Sequence, residues 1–135
     1  MDALLPNLEG RRRLDLIETD LADLSVKTLA FDTAPAFAIG AAVDLPAALG
    51  WLYAAEGSNM GAAFMLKWAK EKLGLSEEFG AGHLAGAPEV RGLHGHSFTA
   101  SLDEVALSDD NEACVIAGAE TAFRRVQALL DEAFG

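Results

Sequence analysis

The chain has 135 residues, a length that suits one compact domain, and 51% of them are hydrophobic while 23% are charged. This balance is too apolar for a disordered chain, and no apolar run reaches the about 18 residues that a membrane-spanning helix needs. The formal net charge of −11 disfavours nucleic acid as a partner, because the phosphate backbone binds to basic faces. We therefore expect one domain, residues 1–135, that binds neither nucleic acid nor membrane.

The start of the chain lacks the basic residues and the long apolar run of a secretory signal, so the sequence predicts a cytoplasmic protein. Cys114 is the only cysteine, which excludes an intrachain disulfide and a thiolate metal cluster. We expect this side chain to fill the core.

The first predicted helix runs from about Leu8 to Leu24. Apolar residues recur there at helical spacing between charged ones: Leu14, Ile17, Leu21 and Leu24. Its basic run, residues 11–13, is interpreted as a solvated helix face, with an anionic ligand as the alternative. A long connection with a short helical turn is predicted for residues 25–43, where no period is sustained.

A second, longer helix is predicted from Asp44, a good N-cap followed by a proline in the first turn, to Leu73, with Gly74 as its C-terminal stop. Gly57 and Gly61 interrupt the middle of this helix, and each costs about 0.5–1 kcal/mol relative to alanine. Two such glycines one turn apart need a reason. They either leave a bare face for a flat ligand or allow close packing of another helix.

Further along, glycines and Pro88 predict a loop over residues 74–95 around a short helical turn at residues 77–84. A helix through Phe98 follows, and Asp109 with Glu112 predicts the start of the last helix. The predicted buried stripe of that helix comprises Ile116, Phe123, Val126 and Leu130. No segment alternates as a strand does, so the predicted fold is an all-α irregular helical bundle.

The order Leu-Gly-x-Leu-Tyr-x-x-Glu-Gly-Ser-x-x-Gly over residues 49–61 resembles the distal helix of bacterial biliverdin-producing heme oxygenases. Residues 12–21, 92–102 and 119–123 resemble further segments of that family in the same order. The resemblance covers about residues 11–130 and implies a heme-oxygenase-like bundle.

The resemblance also implies a reaction. Heme would be both cofactor and substrate, opened to biliverdin, carbon monoxide and iron with electrons from a reductase or ferredoxin. Gly57, Ser58 and Gly61 would be the catalytic residues of the distal helix. The residues expected to contact heme are Tyr53, Gly57, Met60, Gly61, Phe64, Phe98 and Phe123. The three phenylalanines would also be core residues in any helical bundle.

The family's proximal histidine lies on an N-terminal helix upstream of the segment matched here, and no histidine precedes His83. We therefore expect the bundle to lack the proximal helix, and the sequence predicts no metal ligand. His83, His94 and His96 fit surface or capping roles better. Gly95 stands in place of the family's tryptophan, and Ala62 in place of a second glycine.

Three hypotheses follow. The chain is a heme oxygenase whose proximal helix is not represented in it, or a degenerate, non-catalytic domain that binds a tetrapyrrole. The third hypothesis is a structural module that forms a homodimer through an exposed apolar face.

Overall fold

The computed structural model describes residues 9–28, 37, 42–86 and 88–135, and the side chains of residues 88–94 are outside this description. Within these residues, a short 3₁₀ helix, Glu9–Arg11, precedes five α-helices. They are α1 (Leu14–Asp23), α2 (Leu45–Leu73), α3 (Gly82–Ala85), α4 (Pro88–Glu104) and α5 (Asp109–Phe134). In the described part of the chain, extended pairing is limited to isolated bridges from Ser76 to Phe79 and Gly80. The predicted all-α class is confirmed.

The long helix α2 has the two ends that its sequence predicts. The Asp44 carboxylate accepts a hydrogen bond from the Ala47 N–H at 3.2 Å, and Gly74 ends the helix in the left-handed conformation with φ of 68°. Between these ends the helix is continuous, so the expectation that Gly57 and Gly61 interrupt it was wrong. A glycine lowers helix propensity but keeps its backbone N–H, and the flanking alanines and leucines sustain the hydrogen-bond ladder.

Two other predicted boundaries were also wrong. Helix α1 begins at Leu14 rather than near Leu8. The residues before it form the 3₁₀ helix Glu9–Arg11 instead, and the Arg11 side chain of that helix is buried. Helix α4 begins at Pro88, within the predicted loop, since proline is tolerated in a first helical turn. The helical turn expected at residues 77–84 is confined to α3, and the turn expected within residues 25–43 falls outside the described residues.

Helix α5 begins one residue after its true N-cap, Ser108, whose hydroxyl accepts a hydrogen bond from the Asn111 N–H at 3.3 Å. The predicted buried stripe on this helix was wrong. Its buried residues are Gly118 and Ala122, and the stripe residues are 51–62% exposed: Ile116, Phe123, Val126 and Leu130. Cys114 is exposed as well, contrary to the expectation that it fills the core.

Glycine brings α2 and α5 together. A Cβ atom on Gly50 would collide with the Val115 carbonyl oxygen, and one on Gly118 would collide with the Ala47 carbonyl oxygen. The two backbones are therefore in direct contact, and small residues form the interface because larger side chains would hold the helices apart.

The core lies on the α4 side of α2. Leu49 is fully buried against Phe98, which is 2% exposed, and residues of α2, α4, α5 and the α4–α5 connection pack around them: Leu45, Leu52, Leu102, Val105 and Val115. Among the described residues, no helix is both long enough and apolar enough to cross a bilayer.

The glycine contact gives a first prediction. Gly50→Ala should lower the free energy of unfolding by about 1–3 kcal/mol, because the methyl group has no room between α2 and α5. Gly57→Ala is the matched control on the same helix. A Cβ there meets nothing within 4 Å, so this variant should be about 0.5–1 kcal/mol more stable. Urea unfolding of both variants would measure the difference, and equal effects would contradict this packing.

Candidate functional site

One face of α2 is apolar and open. Its members recur at helical spacing and define what we call the glycine face: Tyr53, Gly57, Met60, Gly61, Phe64 and Trp68. The four large side chains are 50–80% exposed, with Phe64 the most exposed. A Cβ atom on Gly57 or Gly61 would meet nothing within 4 Å. The centre of this face is therefore bare backbone, bordered by aromatic and thioether side chains.

Three predicted site residues lie outside the glycine face: Ser58, Phe98 and Phe123. Phe98 belongs to the core, so its prediction as a core residue is confirmed, whereas Phe64 and Phe123 are 80% and 60% exposed and were wrong as core residues. Phe123 lies on α5. The Ser58 hydroxyl donates to the Ala55 carbonyl at 2.7 Å and lines a cavity on the opposite side of α2 from the glycine face.

An ion pair that the sequence did not predict holds α2 in place. The Arg11 Nη1 is 2.6 Å from the Glu56 Oε2, and the two side chains are only 6% and 10% exposed. The Arg11 Nη2 donates to the Ser97 hydroxyl at 2.9 Å, and the guanidinium carbon is 5.9 Å from the centre of the Phe98 ring. Arg11 thus joins the 3₁₀ helix, α2 and α4, which corrects its interpretation as part of a solvated helix face.

Glu56 directly precedes Gly57, so the side chain that Arg11 holds lies next to the glycine face on α2. With Glu56 turned towards Arg11, the next residues around the helix present the glycine face to solvent. Sequence reasoning singled out both residues but could not pair them, since they are 45 positions apart. The sign of a buried partner in the sequence is the position of the acidic residue Glu56 among alanines and glycines.

A second buried carboxylate ties α1 to α3. The Asp20 carboxylate accepts hydrogen bonds from the Gly82 and His83 N–H groups at 2.7 and 2.8 Å and lies 2.6 Å from the His83 Nδ1. Burial raises the pKa of this carboxyl, but the hydrogen bonds from His83 and Gly82 and the nearby imidazole together lower the pKa below its ordinary value. Asp20 is therefore a charged anchor for the turn before α3.

The histidines show no metal centre in the described part of the chain. The His83 ring faces Asp20, and His96 is exposed on α4. The side chain of His94 is outside the description. No group of three histidine, cysteine, aspartate or glutamate side chains that could hold a metal ion is present among the described residues.

Removing one member of the buried ion pair should be costly. Glu56→Gln should lower the free energy of unfolding by about 3–5 kcal/mol, because the buried guanidinium loses its counter-charge. Glu71→Gln is the control on the same helix. Its pair with Lys67 is exposed at 4.0 Å, and the loss should stay below about 1 kcal/mol. Similar losses in the two variants, by chemical denaturation, would contradict this account.

Asp20 should contribute a pH-dependent part of the stability. Its pKa is lower in the folded chain than in the unfolded chain, so its contribution is present above the unfolded value of about 3.9 and is lost as the pH falls through the folded value. At neutral pH, Asp20→Asn should lose about 1–3 kcal/mol, since the backbone donors lose a charged acceptor.

The deficit of Asp20→Asn relative to the parent chain should shrink on acidification to about pH 3. Glu78→Gln, an exposed change in the adjacent turn, is the control and should show a small difference throughout. Urea unfolding across this pH range measures both variants, and a deficit of Asp20→Asn that does not change with pH would overturn the assignment.

Comparison with known proteins identifies the family. The profile of the heme oxygenase family matches residues 13–132. Heme oxygenase PigA of Pseudomonas aeruginosa is 40% identical over 131 residues, which are 97% of this chain and 64% of that protein.

Comparison with solved structures agrees with these sequence matches. The NO- and CO-bound heme oxygenase of Neisseria meningitidis superposes with a TM-score of 0.85 at 40% identity, over 99% of this chain and 64% of that one. This chain therefore spans 64% of the length of each relative. The predicted heme-oxygenase-like architecture is confirmed, and the chain belongs to the heme oxygenase family.

Proposed function

We propose that α2 supplies the distal side of a heme site, and that the whole protein opens heme to biliverdin, carbon monoxide and iron. The observation that carries this proposal is the open space above Gly57 and Gly61. Membership of the heme oxygenase family supports it, as do the relatives named as heme oxygenases.

The residues on this face fit one side of a planar macrocycle. Each helix-interior glycine costs stability, yet the space above Gly57 and Gly61 is used by no described part of the chain. A flat ring can therefore lie directly on the backbone. Tyr53, Met60 and Phe64 border the same face and would contact the apolar edges of the ring.

When bound, heme supplies the iron that activates oxygen and is itself the substrate that is opened. The part of this chain is to position the ring and to shape the space above it. Gly57 and Gly61 admit the ring and leave room for a small diatomic ligand. Exposed apolar side chains around them exclude water once the ring covers the face. The relative from Neisseria meningitidis is described with NO and CO bound, which agrees with a site of this size.

The reaction also needs electrons, which we propose come from a reductase or ferredoxin, and a cytoplasmic location would give access to such a donor.

A homodimer is the competing use of the exposed apolar residues on α2 and α5. In that case a second copy of the chain, and not a ring, would cover the glycine face.

Titration with hemin tests the proposal. The Soret band should shift on binding to the chain, and Gly61→Leu should weaken the apparent affinity by about tenfold or more, because its side chain would stand under the ring. Ala55→Leu is the matched control, since Ala55 lies on the opposite side of α2. It should bind hemin as the parent chain does.

Two results would contradict the proposal. One is the absence of any Soret shift, and the other is an equal loss of affinity in the Gly61→Leu and Ala55→Leu variants. Size-exclusion chromatography distinguishes the homodimer from the heme complex. A dimer that persists when hemin is added would assign the glycine face to a second copy of the chain.

A further inference from the structure

We infer that this chain has a second ligand site, behind α2, for a small organic anion with an apolar body and a carboxylate head. A cavity of about 590 Å³ lies on the side of α2 opposite the glycine face and is bounded by residues 11–17 and by α3. Its volume is within the range of small-molecule sites, about 300–1,000 Å³. This site is independent of heme binding on the glycine face, because no residue of the glycine face lines the cavity.

The lining of this cavity is cationic. Arg11, Arg12 and Arg13 contribute to it, against a single carboxylate from Glu56. Arg11 is already paired with Glu56. Among the described residues, no carboxylate pairs with Arg12 or Arg13, although the chain carries a formal net charge of −11. Two uncompensated guanidinium groups in an acidic chain point to an anion as the partner.

Arg13 provides the second observation. Its Nε atom is buried and has no hydrogen-bond acceptor among the described residues. A buried donor without a partner costs about 1–3 kcal/mol, so its retention needs a compensating contact. Arg13 is also the N-cap residue of α1, and no side chain caps the free N–H groups there. A carboxylate in front of Arg13 would accept from the guanidinium group in the bidentate geometry that arginine favours.

The rest of the lining specifies the body of the ligand. Ile17, Leu52, Ala55, Ala62 and Leu84 give the cavity apolar walls that an inorganic anion would leave in contact with water. Asn59 and Ser58 are polar groups that can orient a second oxygen. A ligand that fits both the arginines and the apolar walls is an aromatic or aliphatic carboxylate.

A titration with 2-naphthoate, followed by the chemical shifts of backbone amides, tests the inference on the 135-residue chain. We expect saturable shifts at residues around the cavity. Arg13→Gln should weaken binding by about tenfold, since it removes the charge that faces the carboxylate. Ala55→Leu fills the cavity and should weaken binding by a similar factor without changing any charge.

Arg124→Gln is the matched control, because Arg124 is an exposed arginine on α5 paired with Glu120. It should bind 2-naphthoate as the parent chain does, and so should Gly61→Leu. If Arg13→Gln does not fold, Arg12→Gln replaces an exposed arginine of the same cavity and should weaken binding by several-fold.

Two further probes test separately the need for the carboxylate group and the need for the apolar part of the ligand. Neutral 2-naphthylmethanol and inorganic phosphate should each bind at least about tenfold more weakly than 2-naphthoate. Equal binding of 2-naphthylmethanol and 2-naphthoate would overturn the inference. Unchanged affinity in both the arginine variant and Ala55→Leu would overturn it as well.

Discussion

The buried ion pair between Arg11 and Glu56 is the constraint on which the arrangement around α2 depends. Neither charge could remain at so low an exposure without the other, because an unpaired buried charge is far more costly than a paired one. Satisfying the pair brings the 3₁₀ helix against α2 and α4. Together with the backbone contact between α2 and α5, it fixes which side of α2 faces the protein and which side stays open.

That orientation leaves α2 with two different accessible sides. The glycine face is open and apolar, and a flat ring can reach its backbone. The opposite side borders the cationic cavity, where Arg11 is committed to Glu56 while Arg12 and Arg13 remain available to an anion. Under the two proposals, one helix would bind a flat ring on one side and an organic anion on the other, and the buried ion pair lies at the edge of the cavity.

Glycine also has two separate uses in this helix. Gly50 is required because the α5 backbone occupies the position of its missing side chain. Gly57 and Gly61 have no such neighbour among the described residues, so their cost in helix stability has no compensation from packing within the described chain. This contrast is why the open glycines, and not the packed one, support a binding function.

Local signals predicted the parts of the fold that local physics decides. The caps of α2 at Asp44 and Gly74 follow from side-chain and backbone preferences of single residues. Burial was predicted less well. Periodicity predicted a buried stripe on α5 that includes Phe123, but the small residues Gly118 and Ala122 are buried instead and Phe123 is exposed. The ion pair between Arg11 and Glu56 could not be predicted, since a pairing between distant residues depends on the tertiary fold.

The most direct test of the heme proposal is paramagnetic broadening of backbone amide resonances on addition of ferric hemin, with metal-free protoporphyrin as the reference. The amides of Gly57 and Gly61 should broaden first and most strongly, because the iron would lie above them. Broadening centred on the cavity lined by Arg12 and Arg13, or spread over α5 alone, would contradict it.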